Sequence, residues 1–256
     1  MTVDAVEARM LRREPVLAIA VIFVLGFLLF SLLLASPLLI RSFLYQPFNA
    51  PSGSMQPTLL IGDYFFVSKY AYGYGRYTWP LSEPPSSGRI WGAEPARGDV
   101  VVFRLKDGKT DYVKRLIGLP GDRIQMRNGL LHINETPVAR ERLEDFVGSD
   151  PCGTGGIART KRWRETLPSG VSYETLDCID NGFFDDTNVT TVAAGHYFML
   201  GDNRDNSTDS RMRATIGDIP LENLIGRAGL IFFSIDGGSN GEPAGIRWGR
   251  IGTVVK

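Results

Sequence analysis

The chain is poor in cysteine and histidine and carries no net charge. Its 256 residues include two cysteines and two histidines, and 28 basic side chains balance 28 acidic ones. The balanced charge excludes the basic field with which proteins bind nucleic acid, so we expect no nucleic-acid partner. No Cys-x-x-Cys pair or nearby histidine supplies the ligands of a zinc site. The sequence therefore predicts no metal site.

The two cysteines, Cys152 and Cys178, both fall in a largely polar stretch. In an oxidising compartment they could form a disulfide bridge, and closing a loop of about 27 residues would stabilise the fold by roughly 3–4 kcal/mol on the entropic account. The alternative is two unrelated thiols. We favour the bridge, because the N-terminal sequence indicates that this part of the chain lies outside the cytoplasm.

One long apolar run interrupts an otherwise ordinary composition. Residues Val16 to Ile40 read VLAIAVIFVLGFLLFSLLLASPLLI. As a helix they would span roughly 37 Å, more than the hydrocarbon core of about 30 Å. A signal-peptide apolar region runs only about 7–15 residues, and a buried core helix usually keeps a polar stripe. The run predicts a transmembrane anchor over residues 16–40, with Pro37 at its exit or at a kink.

Basic residues flank this run unequally. Arg9, Arg12 and Arg13 precede it, and only Arg41 follows closely. The positive-inside rule then predicts a cytoplasmic N-terminus over residues 1–15, a single pass, and the remaining chain on the outer side.

After the anchor, short β-branched and aromatic runs dominate. Examples are Asp63–Val67, Asp99–Phe103, His196–Leu200 and Ala228–Ile235, and Asn128-Gly129 between two further runs predicts a hairpin. Helical periodicity is scarce, so the fold is predicted to be mostly β.

Two segments differ in composition from their neighbours. Tyr77–Pro95, which carries Trp79 and Trp91, is rich in proline and predicts an exposed loop with an aromatic face. Residues 140–186 are polar and weakly patterned, as expected of an inserted cap. The catalytic core would then comprise residues 45–139 and 187–256.

Nucleophilic chemistry is possible at Ser54, provided that a base removes its proton. Histidine is the usual base, but His132 and His196 lie in predicted strands. A buried lysine can serve instead, because burial favours its neutral form. Lys114 lies among apolar residues, and on a strand it would share a face with Leu116. The alternative is a surface lysine on an edge strand, and spacing alone does not bring Lys114 to Ser54.

Three strings carry a family resemblance. They are Pro51–Leu59 (PSGSMQPTL), Asp111–Asp122 (DYVKRLIGLPGD) and Gly201–Arg211 (GDNRDNSTDSR), joined by Gly98–Phe103 (GDVVVF). In order and spacing they resemble the signature segments of bacterial type I signal peptidases, which are membrane-anchored serine–lysine proteases. The resemblance implies coiled antiparallel β-sheets with an inserted, smaller β-rich cap and one N-terminal transmembrane helix. It also implies a monomer in the bacterial inner membrane, with its catalytic domain on the periplasmic side. The expected partners are signal peptides and the lipid bilayer, and no cofactor is expected.

The resemblance also assigns roles residue by residue. Ser54 matches the nucleophile and Lys114 the general base, while the Ser52 hydroxyl and the Ser54 N–H match the oxyanion hole. Ser207 matches the serine that orients the lysine. Asp209 and Arg211 match an ion pair that supports the site. Asp202 and Arg204 match residues that hold the same loop in place. For Asp202 and Arg204, turn chemistry is an equally good explanation.

Substrate pockets follow from the same resemblance. Shallow P1 and P3 pockets accept alanine-sized side chains, which fits the small-x-small cleavage site of signal peptides. The matching residues, each of which could instead be plain core, are Phe48, Ala50, Pro51, Leu59, Val102, Tyr112 and Val113. Ala50 departs from the larger aliphatic residue that many members carry.

Other functions remain open at this stage. One is a specialised maturation peptidase of the same superfamily, acting on one pilin or conjugation substrate. Self-cleaving repressors use related chemistry but are soluble and bind DNA, which the anchor and the zero net charge oppose. A catalytically dead, anchored β module that only binds peptides is a third, and the intact set of Ser52, Ser54, Lys114 and Ser207 opposes it.

Overall fold

The computed structural model divides the chain into two units, one ending at Leu44 and one comprising Tyr45–Lys256. It describes residues 13–79, 88–153, 155–237 and 245–256. Most of the predicted cytoplasmic N-terminus, including Arg9 and Arg12, lies outside the described residues, as do residues 80–87 of the predicted aromatic loop.

The first unit contains an apolar helix. Helix α1 spans Arg13–Leu39 and continues into a π-helical turn over Ile40–Leu44. The stretch Ala18–Leu44 has a mean hydropathy of 2.9 with no buried residue, so by length and composition it could cross a membrane. Pro37 lies inside α1, not at its exit. The carbonyl of Leu33, which loses its backbone donor at Pro37, accepts a hydrogen bond from Ser36 Oγ at 2.8 Å instead.

The second unit is built from β-strands, as predicted. The strands of its described residues are β1 Tyr45–Asn49, β2 Asp63–Ser68, β3 Val100–Arg104, β4 Asp111–Gly118, β5 Arg123–Arg127, β6 Leu130–Ile133, β7 Thr136–Pro137, β8 Ala139–Arg142, β9 Phe146–Ser149, β10 Ile157–Thr166, β11 Ser172–Asp177, β12 Thr190–Thr191, β13 His196–Leu200, β14 Ile219–Pro220, β15 Leu224–Asp236 and β16 Gly245–Ile246. Short 3-10 turns lie at Gly53–Met55, Lys69–Tyr72, Leu221–Asn223 and Trp248–Arg250.

An eight-stranded antiparallel sheet carries the strands that matter for function. Its order is β1-β2-β15-β3-β4-β13-β14, with β16 beside β15. Alternate residues of β3 enter different hydrophobic clusters: Val100 and Val102 pack on the side of Phe65, and Val101 and Phe103 on the side of Leu116. Because both faces are covered, β3 reads as a continuous apolar run.

Two smaller sheets complete the unit. The predicted hairpin forms, with β5 and β6 joined through Asn128-Gly129, both at positive φ, and flanked by β12 and β7. Strands β8, β9, β10 and β11 form the third sheet, within the region predicted as a cap. Its strands carry few alternating apolar residues, and cross-strand ion pairs such as Arg164–Glu141 and Arg162–Glu174 line its exposed side.

Candidate active site

Ser54 lies on a short, well-anchored turn. The turn is closed by the Gln56 N–H, which donates to the Gly53 carbonyl at 3.1 Å, and the Leu59 N–H donates to the Met55 carbonyl at 2.9 Å. Met55 and Leu59 are buried in the hydrophobic cluster that also contains Phe65. The turn therefore holds Ser54, itself only 8% exposed, at a fixed place on the edge of the core.

Lys114 meets Ser54 across 60 residues of sequence. Its Nζ lies 2.5 Å from Ser54 Oγ and donates to the Val113 carbonyl at 3.0 Å. Strand β4 positions this side chain, since Lys114 pairs in register with Val101 of β3 in the centre of the main sheet. Only 3% of Lys114 is exposed, so the lysine is buried in a central strand and is not a surface lysine on an edge strand.

Burial is the main influence on the charge of Lys114. It lowers the pKa of the ammonium from 10.5 to about 8, because a charged group loses hydration in the protein interior. Asp209 and Asp202 oppose this effect and Arg211 adds to it. Near neutral pH, an appreciable fraction of the lysine is thus uncharged and able to accept a proton.

Ser52 and Ser207 flank the pair differently. Ser52 Oγ lies 3.4 Å from Ser54 Oγ, on the exposed side of the turn. Ser207 Oγ is buried and makes no hydrogen bond to Lys114 Nζ, and it lies near the Asp209 carboxylate, where it helps to lower the pKa of that group. The Ser207 side chain instead packs against Gly201, where a Cβ would lie 2.1 Å from Ser207 Oγ and 2.6 Å from the Ser54 carbonyl oxygen. Only glycine fits at position 201.

The segment 201–211 is held by a buried ion pair between Asp209 and Arg211. Arg211 donates to both carboxylate oxygens of Asp209 at 2.9 Å, and the Gly201 N–H donates to the same carboxylate at 3.1 Å. The Arg211 guanidinium also donates to the Arg204 carbonyl at 2.5 Å. One pair therefore fixes two points of the loop that packs behind Ser54 and Lys114.

Asp202 and Arg204 are each paired with a residue that sequence reasoning did not assign to the site. Asp202 receives two hydrogen bonds from Arg115, at 2.8 and 2.7 Å. Arg204 donates to both oxygens of Glu165, at 2.9 and 2.6 Å. Arg115 directly follows Lys114 in the segment Asp111–Asp122, which carries the family resemblance. Its position in the sequence could therefore have indicated a role at the site. Glu165 lies in β10, where no motif was recognised, and nothing in the sequence marks it.

A groove of about 590 Å³ opens beside the pair. Of the predicted pocket residues, Phe48, Pro51, Val102, Tyr112 and Val113 line it, together with Ser52, Ser54 and Lys114. Ala50 and Leu59 do not. Both are almost fully buried in the hydrophobic cluster below the groove, because the turn that carries Ser54 directs them into the core.

Cys152 and Cys178 are joined by a disulfide, with their Cα atoms 5.7 Å apart. The bridge links the turn between β9 and β10 to the segment after β11.

The two histidines lie away from Ser54: His132 Nδ1 is 3.0 Å from the Leu130 carbonyl and His196 Nδ1 is 2.9 Å from the Ala194 carbonyl. Lysine is therefore the basic side chain that contacts Ser54 among the described residues.

Comparison with known proteins gives a consistent result. The family described as "Signal peptidase, peptidase S26" matches residues 19–233. The Signal peptidase I of Rickettsia typhi (strain ATCC VR-144 / Wilmington) is 41% identical over 214 residues, which cover 80% of this chain and 78% of that protein. The Signal peptidase I of Rickettsia akari (strain Hartford) is 42% identical over 206 residues, covering 77% of this chain and 74% of that protein.

Among solved structures, the crystal structure of a signal peptidase I from Enterococcus faecalis V583 is similar over 53% of this chain and 97% of that one, with 23% identity and a TM-score of 0.30. At that TM-score the likeness carries no weight for fold or function.

Proposed function

This chain belongs to the peptidase S26 family of signal peptidases, and we propose that Ser54 and Lys114 are the catalytic dyad with which it removes signal peptides from preproteins. The observation that carries the proposal is the 2.5 Å approach of Lys114 Nζ to Ser54 Oγ, where both side chains are buried at the groove. A serine hydroxyl needs such a base to become a nucleophile.

The reaction follows from this geometry. Lys114 takes the Ser54 proton as Oγ attacks the scissile carbonyl carbon, and the carbonyl oxygen becomes an oxyanion. The Ser54 N–H and the Ser52 hydroxyl donate to that oxyanion, and a donor of this kind is typically worth about 10²–10³ in rate. Lys114 then protonates the leaving amine, the C–N bond breaks, and an acyl-enzyme remains. Water, deprotonated by the same lysine, hydrolyses the ester and restores Ser54.

The groove suits small side chains at two substrate positions. Phe48, Val102, Tyr112 and Val113 give it one apolar stretch of wall, and polar residues, among them Thr110 and Asp111, line the remainder. An extended substrate strand next to Ser54 would direct P1 and P3 to one side and P2 to the other, because side chains alternate along a strand. The proposed specificity is therefore small-x-small, with P2 unrestricted.

The chain is a membrane protein with its catalytic unit outside, on this proposal. The apolar stretch Ala18–Leu44 is long enough for a single pass. Arg9, Arg12 and Arg13 precede it and only Arg41 lies near its C-terminal end, which favours a cytoplasmic N-terminus under the positive-inside rule. This orientation brings the Ser54 site to the periplasmic side of the inner membrane, where exported preproteins emerge.

The test is cleavage of a preprotein by the purified full-length chain in detergent micelles, followed by N-terminal sequencing of the product. The expected product begins directly after a small-x-small site, and EDTA leaves the rate unchanged. Ser54→Ala is the matched control and should give no product. Cleavage of a pilin or conjugation precursor alone, among several preproteins tried, would favour the specialised maturation peptidase instead.

A further inference from the structure

Asn203 contacts both peptide groups that flank the nucleophile, although the dyad chemistry makes no use of it. Its backbone N–H donates to the Ser54 carbonyl at 3.1 Å, and its side-chain Nδ2 donates to the Gly53 carbonyl at 3.1 Å. The residue is fully buried. An asparagine that only filled space would not need to contact the carbonyls on both sides of Ser54.

The second proton of Nδ2 goes to the carbonyl of Pro151. The amide nitrogen must face this pair of carbonyls, since an amide oxygen in its place would meet two acceptors. Asn203 thus bridges the turn that carries Ser54 to the turn that carries Cys152.

The contact at Gly53 bears directly on catalysis. The Gly53 carbonyl and the Ser54 N–H belong to one planar peptide group, so a donor that fixes the carbonyl also fixes the direction of the N–H. A hydrogen bond accepted by the carbonyl also polarises the group and strengthens the N–H as a donor. The Ser54 N–H is the backbone donor of the proposed oxyanion hole, where stabilisation depends on preorganised direction.

The Pro151 end of the bridge is held by the disulfide. Cys152, the next residue, is bonded to Cys178, and the Cys178 N–H donates to Asp205 Oδ2 at 2.7 Å. The disulfide therefore connects the Pro151 turn back to the segment that carries Asn203. A second contact lies on the same side, where Gln56 Nε2 donates to the Ser149 carbonyl at 3.1 Å.

We propose that Asn203 is a positioning residue for the oxyanion hole and that the Cys152–Cys178 disulfide acts through it. The disulfide fixes the Pro151 carbonyl, Pro151 and Gly53 together orient the Asn203 amide, and the amide aims the peptide group that carries the Ser54 N–H. Oxidation of the cysteine pair is then required for full catalytic rate and not only for stability. The inference rests on the proposed role of Ser54 as nucleophile.

The experiment measures kcat and KM for preprotein cleavage by the full-length chain in micelles, for wild type and Asn203→Ala, each before and after reduction with a phosphine. The phosphine converts the bridge into two thiols and is itself oxidised to phosphine oxide with oxygen from water. Asn223→Ala is the matched control, because Asn223 is also buried and donates its side-chain amide to a backbone carbonyl, that of Arg104 at 2.7 Å. The Cys152→Ser/Cys178→Ser double variant reproduces the reduced state without a reductant.

We expect reduction of the wild type, the double cysteine variant and Asn203→Ala each to lower kcat by about tenfold to 100-fold, the range that a misplacement of about 1 Å can cause. KM should change little. Reduction should lower the kcat of Asn203→Ala no further, since the disulfide acts through that side chain. The pH midpoint of the rate should remain near that of the wild type, because the groups around Lys114 are untouched. Asn223→Ala should keep the wild-type kcat.

Three results would overturn the proposal: an unchanged kcat after reduction, reduction effects that multiply with Asn203→Ala, or a shifted pH midpoint. Near-UV circular dichroism shows whether Asn203→Ala folds. If it does not fold, the kcat values of the reduced wild type and of the double cysteine variant test the proposal. Their loss of kcat must occur in folded protein, and global unfolding on reduction would contradict the proposal. Failure of wild-type protein to cleave any preprotein would count against the proposed function instead.

Discussion

Arg115 and Asp202 form a two-point ion pair whose side chains are 0% and 1% exposed, directly beside the Lys114–Ser54 contact. Thr58, four residues after Ser54, donates its hydroxyl to the same carboxylate at 2.5 Å. The pair thus joins the strand that carries the lysine to the loop behind it and to the segment after the nucleophile. The Asp202 carboxylate therefore contacts residues from both segments that carry the dyad.

Ser54→Ala and Lys114→Ala should each abolish cleavage while the protein remains folded. Neither side chain can perform the other's step, because alanine offers neither a nucleophile nor a base. Lys114→Arg should also fail, since a guanidinium stays protonated at any working pH. The measurement is the initial rate of preprotein cleavage, with circular dichroism as the control for folding. A Ser54→Ala rate within about tenfold of wild type, a barrier change of only about 1.4 kcal/mol, would contradict the mechanism.

The rate should rise with pH and level off above about 8, the folded-state pKa of Lys114. The sign follows from the base: Lys114 works only when neutral, and below its pKa the neutral fraction falls about tenfold per pH unit. The measurement is kcat/KM from pH 5 to 10 on one peptide. A rate that still climbs near pH 10, where an unperturbed lysine titrates at about 10.4, would show that burial does not act as inferred.

Asp202→Ala should destabilise the protein by about 3–5 kcal/mol, the usual cost of leaving one buried charge, here Arg115, without its partner. Activity should fall with it, since Arg115 adjoins Lys114 on β4. The check is the thermal unfolding midpoint of the full-length chain in micelles. Arg123→Ala is the control, because the Arg123–Glu135 pair is 50% and 62% exposed and should contribute little. Equal midpoints for the two variants would show that the buried pair is not a structural link.

Cleavage should require small residues at P1 and P3 and tolerate bulk at P2. The walls formed by Phe48, Val102 and Val113 are apolar, and Asp111, the acidic residue of the lining, is already paired with Arg104, so a basic P1 side chain finds no free partner there. A series of peptides that vary one position at a time measures kcat/KM for each. Val102→Ala should widen the groove and admit larger P1 or P3 residues. Efficient wild-type cleavage after Leu or Lys at P1 would show that the groove is wrongly assigned.

Protease added to spheroplasts should degrade the chain after Arg41 and leave the short N-terminal segment intact. The reason is the unequal distribution of arginines around the apolar span. Immunoblots with tags at the two ends record which side is digested. A C-terminal tag that survives digestion in intact spheroplasts, yet is lost after lysis, would reverse the proposed orientation.

Much of the fold could be predicted from local patterns. The strand at His196–Leu200 has the predicted bounds, and the Asn128-Gly129 hairpin forms because both residues favour positive φ. The sheet of β8–β11 was not predicted strand by strand. In β10, residues such as Arg162 and Arg164 are stabilised by cross-strand ion pairs and so leave no apolar alternation to detect.

The site was less predictable than the fold. Ser54 and Lys114 meet only because β4 lies at the centre of the sheet, and their meeting depends on contacts that no local pattern reports. The family resemblance supplied the residues of the dyad but not the partners Arg115 and Glu165. The contacts of Asp202 and Arg204 with these partners replace the simple turn chemistry that the sequence allowed.

The burial of Lys114 also has a consequence for stability. The fall of its pKa from 10.5 to about 8 on folding means that, at neutral pH, the fold gives up about 3 kcal/mol to keep this amine out of water. The penalty is complete below the folded pKa and disappears as the pH rises above the unfolded one. Lys114→Met should therefore unfold at a higher temperature than wild type at pH 7, and the difference should narrow towards pH 10. The proposed general base is, in these terms, a weak point of the structure at which stability has been given up for reactivity.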